Sequence, residues 1–598
     1  MNRLSPRQPL DAEKLITLWR AAWPQALEAW SRYTRLHDPR LCASTIEAAQ
    51  EGLSGSFAMI RLLDQSVVVD LEAVYAHQLE GYAVEILAHE IGHHVLAPAT
   101  ASDHFRLIAR IRRALPTVEA HAAMVANLYT DLCINDRLQR QAGLRMADIY
   151  QLLAMHDKNA AAKSRLWTLY MRIYEHLWQI ERGGLASGAI DDALDTDAWL
   201  GARLIRVYGA DWMTGSARFA ALLLPYLLNK KKVTALLLAW HDTGAAAEGC
   251  AAEGLHAIGD GEDDELLHPV DDPLITGDAV GTPAEQERNT YSRGQLREPF
   301  EYGEILKAGG VKLNDHEIAI RYYRERALPY LVPFPTRPVP RRPEPEPEGL
   351  EPWEMGDPLD QIDWLQSITL SPFVVPGVTT VRRTYDAPPS AQPEALAVDL
   401  DLYVDSSGSM PNPQQATSYT ALAGAIVALS ALRAGASVQV TLWSGKRQVI
   451  GTTGFVRNAD QILQVLTGYL GGGTCFPLHR LRGTYASAAA RARPAHILMI
   501  SDDGITTMFD KDERGASGWD IAARALAAAG GGGTMALNLD PAWNSWDGPL
   551  NVLRRARDEG GWDIHAVASL AELVAFARAF SARNYGPAPA TTGAGRRW

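Results

Sequence analysis

Two kinds of apolar spacing divide this chain. Through about residue 245 the apolar and aromatic positions recur at helical spacing, most plainly in Ser164–Ile180 (SRLWTLYMRIYEHLWQI). The tryptophans and tyrosines of that run read as core rather than as a binding stripe. Two short runs, Phe57–Leu63 (FAMIRLL) and Ser66–Leu71 (SVVVDL), read as strands. They precede a helix-like stretch, Gly81–Leu96, closed by Pro98. Leu222–Trp240 continues the helical pattern, interrupted near Pro225 and Lys230–Lys232. From Glu394 onward strands and helices alternate. Strands are predicted near 397–404, 436–444, 448–455, 495–501, 533–539 and 563–568, with helices near 415–434, 459–470, 478–492, 518–529, 549–558 and 570–583. Such alternation predicts a mainly parallel sheet covered on both faces.

Between these halves the pattern fails. Residues 248–298 are rich in Gly, Asp, Glu and Pro (GDGEDDELLHPVDDP) and read as an acidic flexible linker. A helical island at Asp315–Leu328 follows, and then proline recurs through Pro329–Pro352, including Pro343–Glu348, as in an extended polyproline spacer. The predicted organisation is therefore a mostly helical domain with a short sheet at 1–247, the linker at 248–298, and a helical segment with its spacer at 299–352. A lead-in at 353–393, an α/β domain at 394–585 and a disordered tail at 586–598 complete it.

Composition narrows the class. A length of 598 residues calls for more than one domain, and 47% hydrophobic with 21% charged residues describes globular folding. The net charge of −13 opposes a phosphate backbone, so no nucleic-acid partner is expected. The most apolar stretch, Phe219–Leu228, breaks at Asn229 before reaching membrane-spanning length, and no signal-peptide core opens the chain. Four cysteines (Cys42, Cys133, Cys250 and Cys475) lie without pair spacing, as in a reducing, cytoplasmic setting.

Candidate chemistry enters at His89-Glu90-Ile91-Gly92-His93. On a helix, residues four apart share a face, so His89 and His93 can hold one metal ion while Glu90 serves as general base. Zn²⁺ on three protein ligands keeps an open position and acidifies water. For the third ligand the chain offers Asn127–Asp136 (NLYTDLCIND), where Asp131 and Asn135 share a face as ligand and orienting neighbour. Asp136 and His121 are the competitors. His94 lies well round the helix and is not expected to ligate. A second cluster, Asp405-Ser406-Ser407-Gly408-Ser409, ends the strand-like run Ala397–Val404 with a carboxylate and two hydroxyls, the hard oxygen ligands that Mg²⁺ takes.

The D-x-S-x-S pattern resembles the metal-ion-dependent adhesion site of von Willebrand factor A (VWA) domains, an α/β Rossmann-like fold. That resemblance implies five ligands for Mg²⁺ or Mn²⁺: Asp405, Ser407, Ser409, Thr474 after Gly471–Gly473, and Asp502 after the strand His496–Ser501. The usual Thr-Asp-Gly reads Ser501-Asp502-Asp503-Gly504 here, so Asp503 competes with Asp502. The H-E-x-x-H helix beside two strands resembles zincin-type metallopeptidases of α+β fold. Taken together, HEIGHH at 89–94, TDLCIND at 130–136, IRYYRERALPYLVPFP at 320–335, WEMGD at 353–357 and DSSGSM at 405–410 resemble bacterial zinc metallopeptidases carrying a C-terminal VWA domain. The resemblance implies a protein or peptide substrate. It also implies a partner docked through an acidic side chain, such as a MoxR-type AAA+ ATPase, since no P-loop is present in this chain. A non-proteolytic adaptor, coupling such an ATPase to client remodelling or metal insertion, is the alternative.

Overall fold

The structure is a computed structural model. It describes residues 11–53, 55–156, 164–228, 243–244, 252, 254–259, 267–277, 296–339, 346–386, 394–486, 493–539, 543, 551–567 and 569–581. The chain forms two compact units: Met1–Glu325 with Gln414–Thr417, and Arg326–Pro413 with Ser418–Trp598. The tail at 586–598, and the helical reading of 229–240, lie outside the described residues. Among the described residues no helix is long and apolar enough to cross a membrane.

The first unit is mostly helical. It runs α1 (Ala12–Glu28), β1 (Arg40–Cys42), α2 (Thr45–Gln50), β2 (Ala58–Arg61), β3 (Ser66–Asp70), α3 (Leu71–Ala76), α4 (Ala83–Val95), α5 (Ala101–Arg113) and α6 (Ala122–Gln141). There follow α7 (Met146–His156), α8 (Arg165–Trp178), α9 (Asp192–Val207), α10 (Trp212–Leu227), β4 (Thr243–Gly244), α11 (Pro273–Thr276), α12 (Pro299–Ala308) and α13 (Asp315–Ala327). The strands order as β1-β3-β2-β4, with β2 antiparallel to β3. β2 is shorter than the predicted run because Asp64 turns the chain, pairing with Arg61 at 2.6 Å and accepting from Ser66 Oγ at 2.7 Å. Asp70 then ends β3 and caps α3 by accepting from Ala73 N.

Part of the predicted linker is ordered. Asp272, 2% exposed, accepts from Tyr208 Oη at 2.7 Å and Arg218 Nε at 2.6 Å, and caps α11 through Leu274 N. An acidic run reads as solvated by composition, but this buried aspartate pairs with the half-buried Arg218.

The second unit begins where the polyproline spacer is expected, and its ends are strands instead. β5 (Thr336–Val339) pairs antiparallel with β8 (Glu394–Ala397), and β6 (Glu346–Pro352) with β7 (Val381–Asp386). Both conformations are extended, and a strand with one neighbour tolerates proline on its open side. α14 (Trp364–Leu370) lies between β6 and β7 in sequence. The main sheet follows: β9 (Asp399–Asp405), α15 (Tyr419–Arg433), β10 (Val438–Trp443), β11 (Val449–Gly451), α16 (Ala459–Leu466), α17 (Leu478–Thr484), β12 (Ala495–Ser501), α18 (Gly518–Ala529), β13 (Gly530–Leu537), α19 (Asn551–Asp558), β14 (Trp562–Ala566) and α20 (Leu570–Ser581).

Its order is β11-β10-β9-β12-β13-β14, parallel except for β11. On one face Tyr403, Trp443, Ile497 and Met499 pack with Leu481, Ile521 and Leu553 from α17, α18 and α19. On the other, α15 packs on β9, and Gly424 permits it: a Cβ there would lie 2.8 Å from Leu466 and 3.4 Å from Val404. Chain order reverses between β9 and β12, since β10 adds on one side of β9 and β12 on the other. Open α/β sheets bind ligands at such a switch point, beyond the strand C-termini. Asp405 and Ser501 end those two strands.

Candidate metal centres

α4 and α6 build a buried centre in the first unit. Ten of the thirteen residues of α4 are buried, and His89, Glu90 and His93 are among them. Gly92 allows this closeness. A Cβ at Gly92 would lie 2.6 Å from both Ile134 of α6 and Trp30, whose Nε1 donates to the Ala88 carbonyl at 2.6 Å.

His89 and His93 stack edge to face, ring centroids 5.0 Å apart. His89 Nδ1 lies 2.7 Å from Asn135 Oδ1, and His93 Nδ1 lies 3.0 Å from the Ala97 carbonyl. Those oxygens only accept, so each Nδ1 carries the proton and each Nε2 keeps its lone pair. Both Nε2 atoms converge on Asp131 Oδ1, at 3.9 Å from His89 and 3.6 Å from His93. Such separations are too long for hydrogen bonds. They approach the edge of a ligand tetrahedron with metal bonds of ~2.0–2.1 Å, which is about 3.4 Å.

The surroundings fix this arrangement. Asn135 Nδ2 donates to the hydroxyls of Tyr150 and Tyr174, each at 2.9 Å, which orients the amide oxygen toward His89. Tyr174 in turn contacts the Tyr150 hydroxyl at 3.2 Å and that of Tyr170 at 3.1 Å. Burial, ahead of the neighbouring tyrosines, pushes the Tyr170 and Tyr174 hydroxyls well above their ordinary range, so both stay neutral. Asn127 Nδ2 reaches Asp131 Oδ2 at 3.4 Å. Glu90, 2% exposed, lines one cleft with His89 and Asp131.

The expected set His89, His93 and Asp131 comes together here, and Asn135 serves His89 rather than Asp131. Asn127 and the two tyrosines are additions that sequence reasoning missed. Asn127 carried a signal, being one further step of four along the ladder Asn127, Asp131, Asn135. The competitors are placed elsewhere. Asp136 is bound by Arg206 at 3.1 Å and Arg140 at 3.4 Å. His121 immediately precedes α6, ten residues before Asp131, or about 15 Å along a helix. His94 Nδ1 contacts Gln65 Oε1 at 2.8 Å. Burial pushes the Cys133 thiol up to about 12, as for a packed, unreactive cysteine.

The second cluster sits at the C-terminal ends of β9 and β12. Asp405, 1% exposed, accepts from Ser407 N at 2.8 Å through Oδ1 and from Ser501 Oγ at 2.6 Å through Oδ2. Burial, against those two hydrogen bonds, raises its carboxyl above the ordinary value. Ser407 Oγ and Ser409 Oγ lie 3.0 Å apart, and Ser409 Oγ donates to Asp502 Oδ2 at 3.0 Å. Asp502 Oδ1 accepts from Gly504 N at 2.9 Å, whereas Asp503 is exposed in the following turn. Thr474 stands beside Gly504, where a Cβ would collide with its methyl group.

The glycine-rich loop reaches this cluster by backbone pairing. Gly408 N donates to the Gly472 carbonyl at 2.8 Å, and Gly471 N to that of Ser406 at 3.0 Å. Gly471 has φ +62°, and a Cβ at Gly472 would strike Gln448. Ser444 Oγ accepts from Gly472 N at 2.9 Å and donates to the Gly473 carbonyl at 3.0 Å. Ser501, which stands where the usual motif has Thr, and Ser444, which no motif included, thus support the cluster. No protein-family model and no curated protein matches this chain.

Proposed function

We propose that the first unit is a zinc metallopeptidase of the zincin type, and that the second is a VWA domain docking a partner through Mg²⁺ or Mn²⁺. The observation that carries the first half is the buried set His89, His93 and Asp131, whose ligand atoms lie within 4.8 Å of one another. Two imidazoles and one carboxylate suit zinc and leave a fourth position open, unlike the Cys-rich sets of structural sites. A zinc ion held there supplies Lewis acidity toward a peptide carbonyl and acidifies water. Glu90 takes the proton of the attacking water and hands it to the leaving amine. Asn135 and the Ala97 carbonyl keep both imidazoles in the ligating tautomer.

The support for the second half is the chain of oxygens from Ser407 through Ser409 to Asp502, in steps of 3.0 Å. Adjacent ligands of an octahedral ion with bonds of ~2.1 Å are about 3.0 Å apart. Ser409 is exposed, so an acidic side chain of a partner, such as a MoxR-type ATPase, can complete the shell from outside.

Elemental analysis beside a peptide-cleavage assay tests the enzyme reading. Wild type is expected to hold one zinc per chain, lost in His89→Ala and Asp131→Ala. Glu90→Gln is expected to keep the zinc while hydrolysis falls by ~10²–10⁴-fold. Wild type that takes up no zinc overturns the reading.

A further inference from the structure

Resting on the zinc reading, we infer that the cleft beside His89 takes an uncharged, apolar side chain adjacent to the bond being cut. The lining carries this. Besides His89, Glu90, Asp131 and Asn135, the cleft is walled by Phe57, Ile86, Met146, Ile149 and Leu153, with Ser56 and Tyr150 also in the lining. Among the described residues no lysine or arginine lines it, so no cationic side chain there pairs with a substrate carboxylate.

The apolar wall is built, not incidental. Met146, Ile149 and Tyr150 are between 3% and 8% exposed, and they stand on α7 at spacings of three and four, one helix face turned to the metal ligands. Tyr150 ties that face to the centre, because its hydroxyl accepts from the same Asn135 that orients His89. Ile86, one turn before Glu90 on α4, adds to the apolar lining and is 3% exposed. An acidic side chain entering here would lose its hydration with no lysine or arginine of the described lining to pair with, whereas a leucine-sized one exchanges water for Ile149 and Leu153.

The test uses three probes that share one chelating group: the hydroxamates of glycine, leucine and aspartic acid. Their binding to the full-length, zinc-loaded Glu90→Gln protein is measured by calorimetry. Leucine hydroxamate is expected to bind ~10- to 100-fold more tightly than the glycine compound, and the aspartate compound no better than glycine. Leu153→Lys, at a half-buried position on the rim, is expected to remove the leucine advantage while glycine hydroxamate binding is kept. Ile149→Ala should narrow it several-fold, which covers the case where the lysine variant misfolds. Equal binding of the glycine and leucine compounds, or preference for aspartate, overturns the inference and leaves the zinc site standing. If none of the three binds to protein that demonstrably holds zinc, the open-position reading itself fails, and this inference with it.

Discussion

Asn135 Oδ1 lies 2.7 Å from His89 Nδ1, and that single contact decides which nitrogen of the histidine is available to a metal. The amide cannot rotate without giving up two tyrosine hydroxyls on its other side.

Asn135→Ala is therefore expected to weaken zinc binding by ~10- to 100-fold. It leaves His89 in place but removes its tautomer lock. Chelator competition measures the affinity, and a circular dichroism spectrum equal to wild type separates this effect from misfolding. Unchanged affinity would show that His89 needs no such partner.

Gly92→Val should destabilise the first unit by more than Gly473→Ala does the second. The added atoms at 92 meet Ile134 and Trp30, whereas a Cβ at 473 meets nothing within 4 Å. Overpacking of this kind costs about 1–3 kcal/mol, read as a lower melting temperature. Because α4 must shift to relieve it, zinc affinity should fall as well.

Ser409→Ala is expected to weaken Mn²⁺ binding to the second unit without lowering its melting temperature in chelator, because Ser409 is exposed. Ser501→Ala differs. It removes the 2.6 Å hydrogen bond to buried Asp405, so stability and metal affinity should fall together. Calorimetric titration with and without Mn²⁺ distinguishes the two patterns.

Asp195, which belongs to neither candidate metal centre, gives a pH-dependent prediction. Its hydrogen bond from Arg172, with Nε at 2.7 Å, outweighs the opposing effect of burial and holds its carboxyl below the ordinary range. A depressed folded pKa contributes stability above the unfolded value of about 3.9, and that contribution disappears as pH falls through the folded value. Asp195→Asn should therefore be less stable than wild type in denaturant at pH 7, and the two should converge at acid pH. A gap that stays constant with pH would count against the ion pair.

Much of both centres was legible because local spacing carries it. Four-residue steps put His89 with His93, and Asp131 with Asn135, on shared helix faces, whatever the rest of the chain does. The strand-end position of Asp405 was equally local. What escaped were partners that only tertiary structure delivers: Tyr150 and Tyr174 reach Asn135 from 15 and 39 residues away, and Ser501 reaches Asp405 from 96. Composition misled where one contact outweighed it. Asp272 is ordered by Arg218, and Pro347 and Pro352 lie in a strand because β7 pairs with it.

The division of the chain carries a practical consequence. Gln414–Thr417 belongs to the first unit although the sequence on both sides belongs to the second. Within the first unit, Tyr322 Oη lies 3.1 Å from Thr417 Oγ1, and Tyr323 Oη donates to the Ala416 carbonyl at 3.3 Å. The backbone thus passes from one unit to the other at three points, and no single scission releases both halves whole. A fragment ending at Glu325 would leave those tyrosines on α13 without the segment they hold, and would unfold more readily than the intact chain.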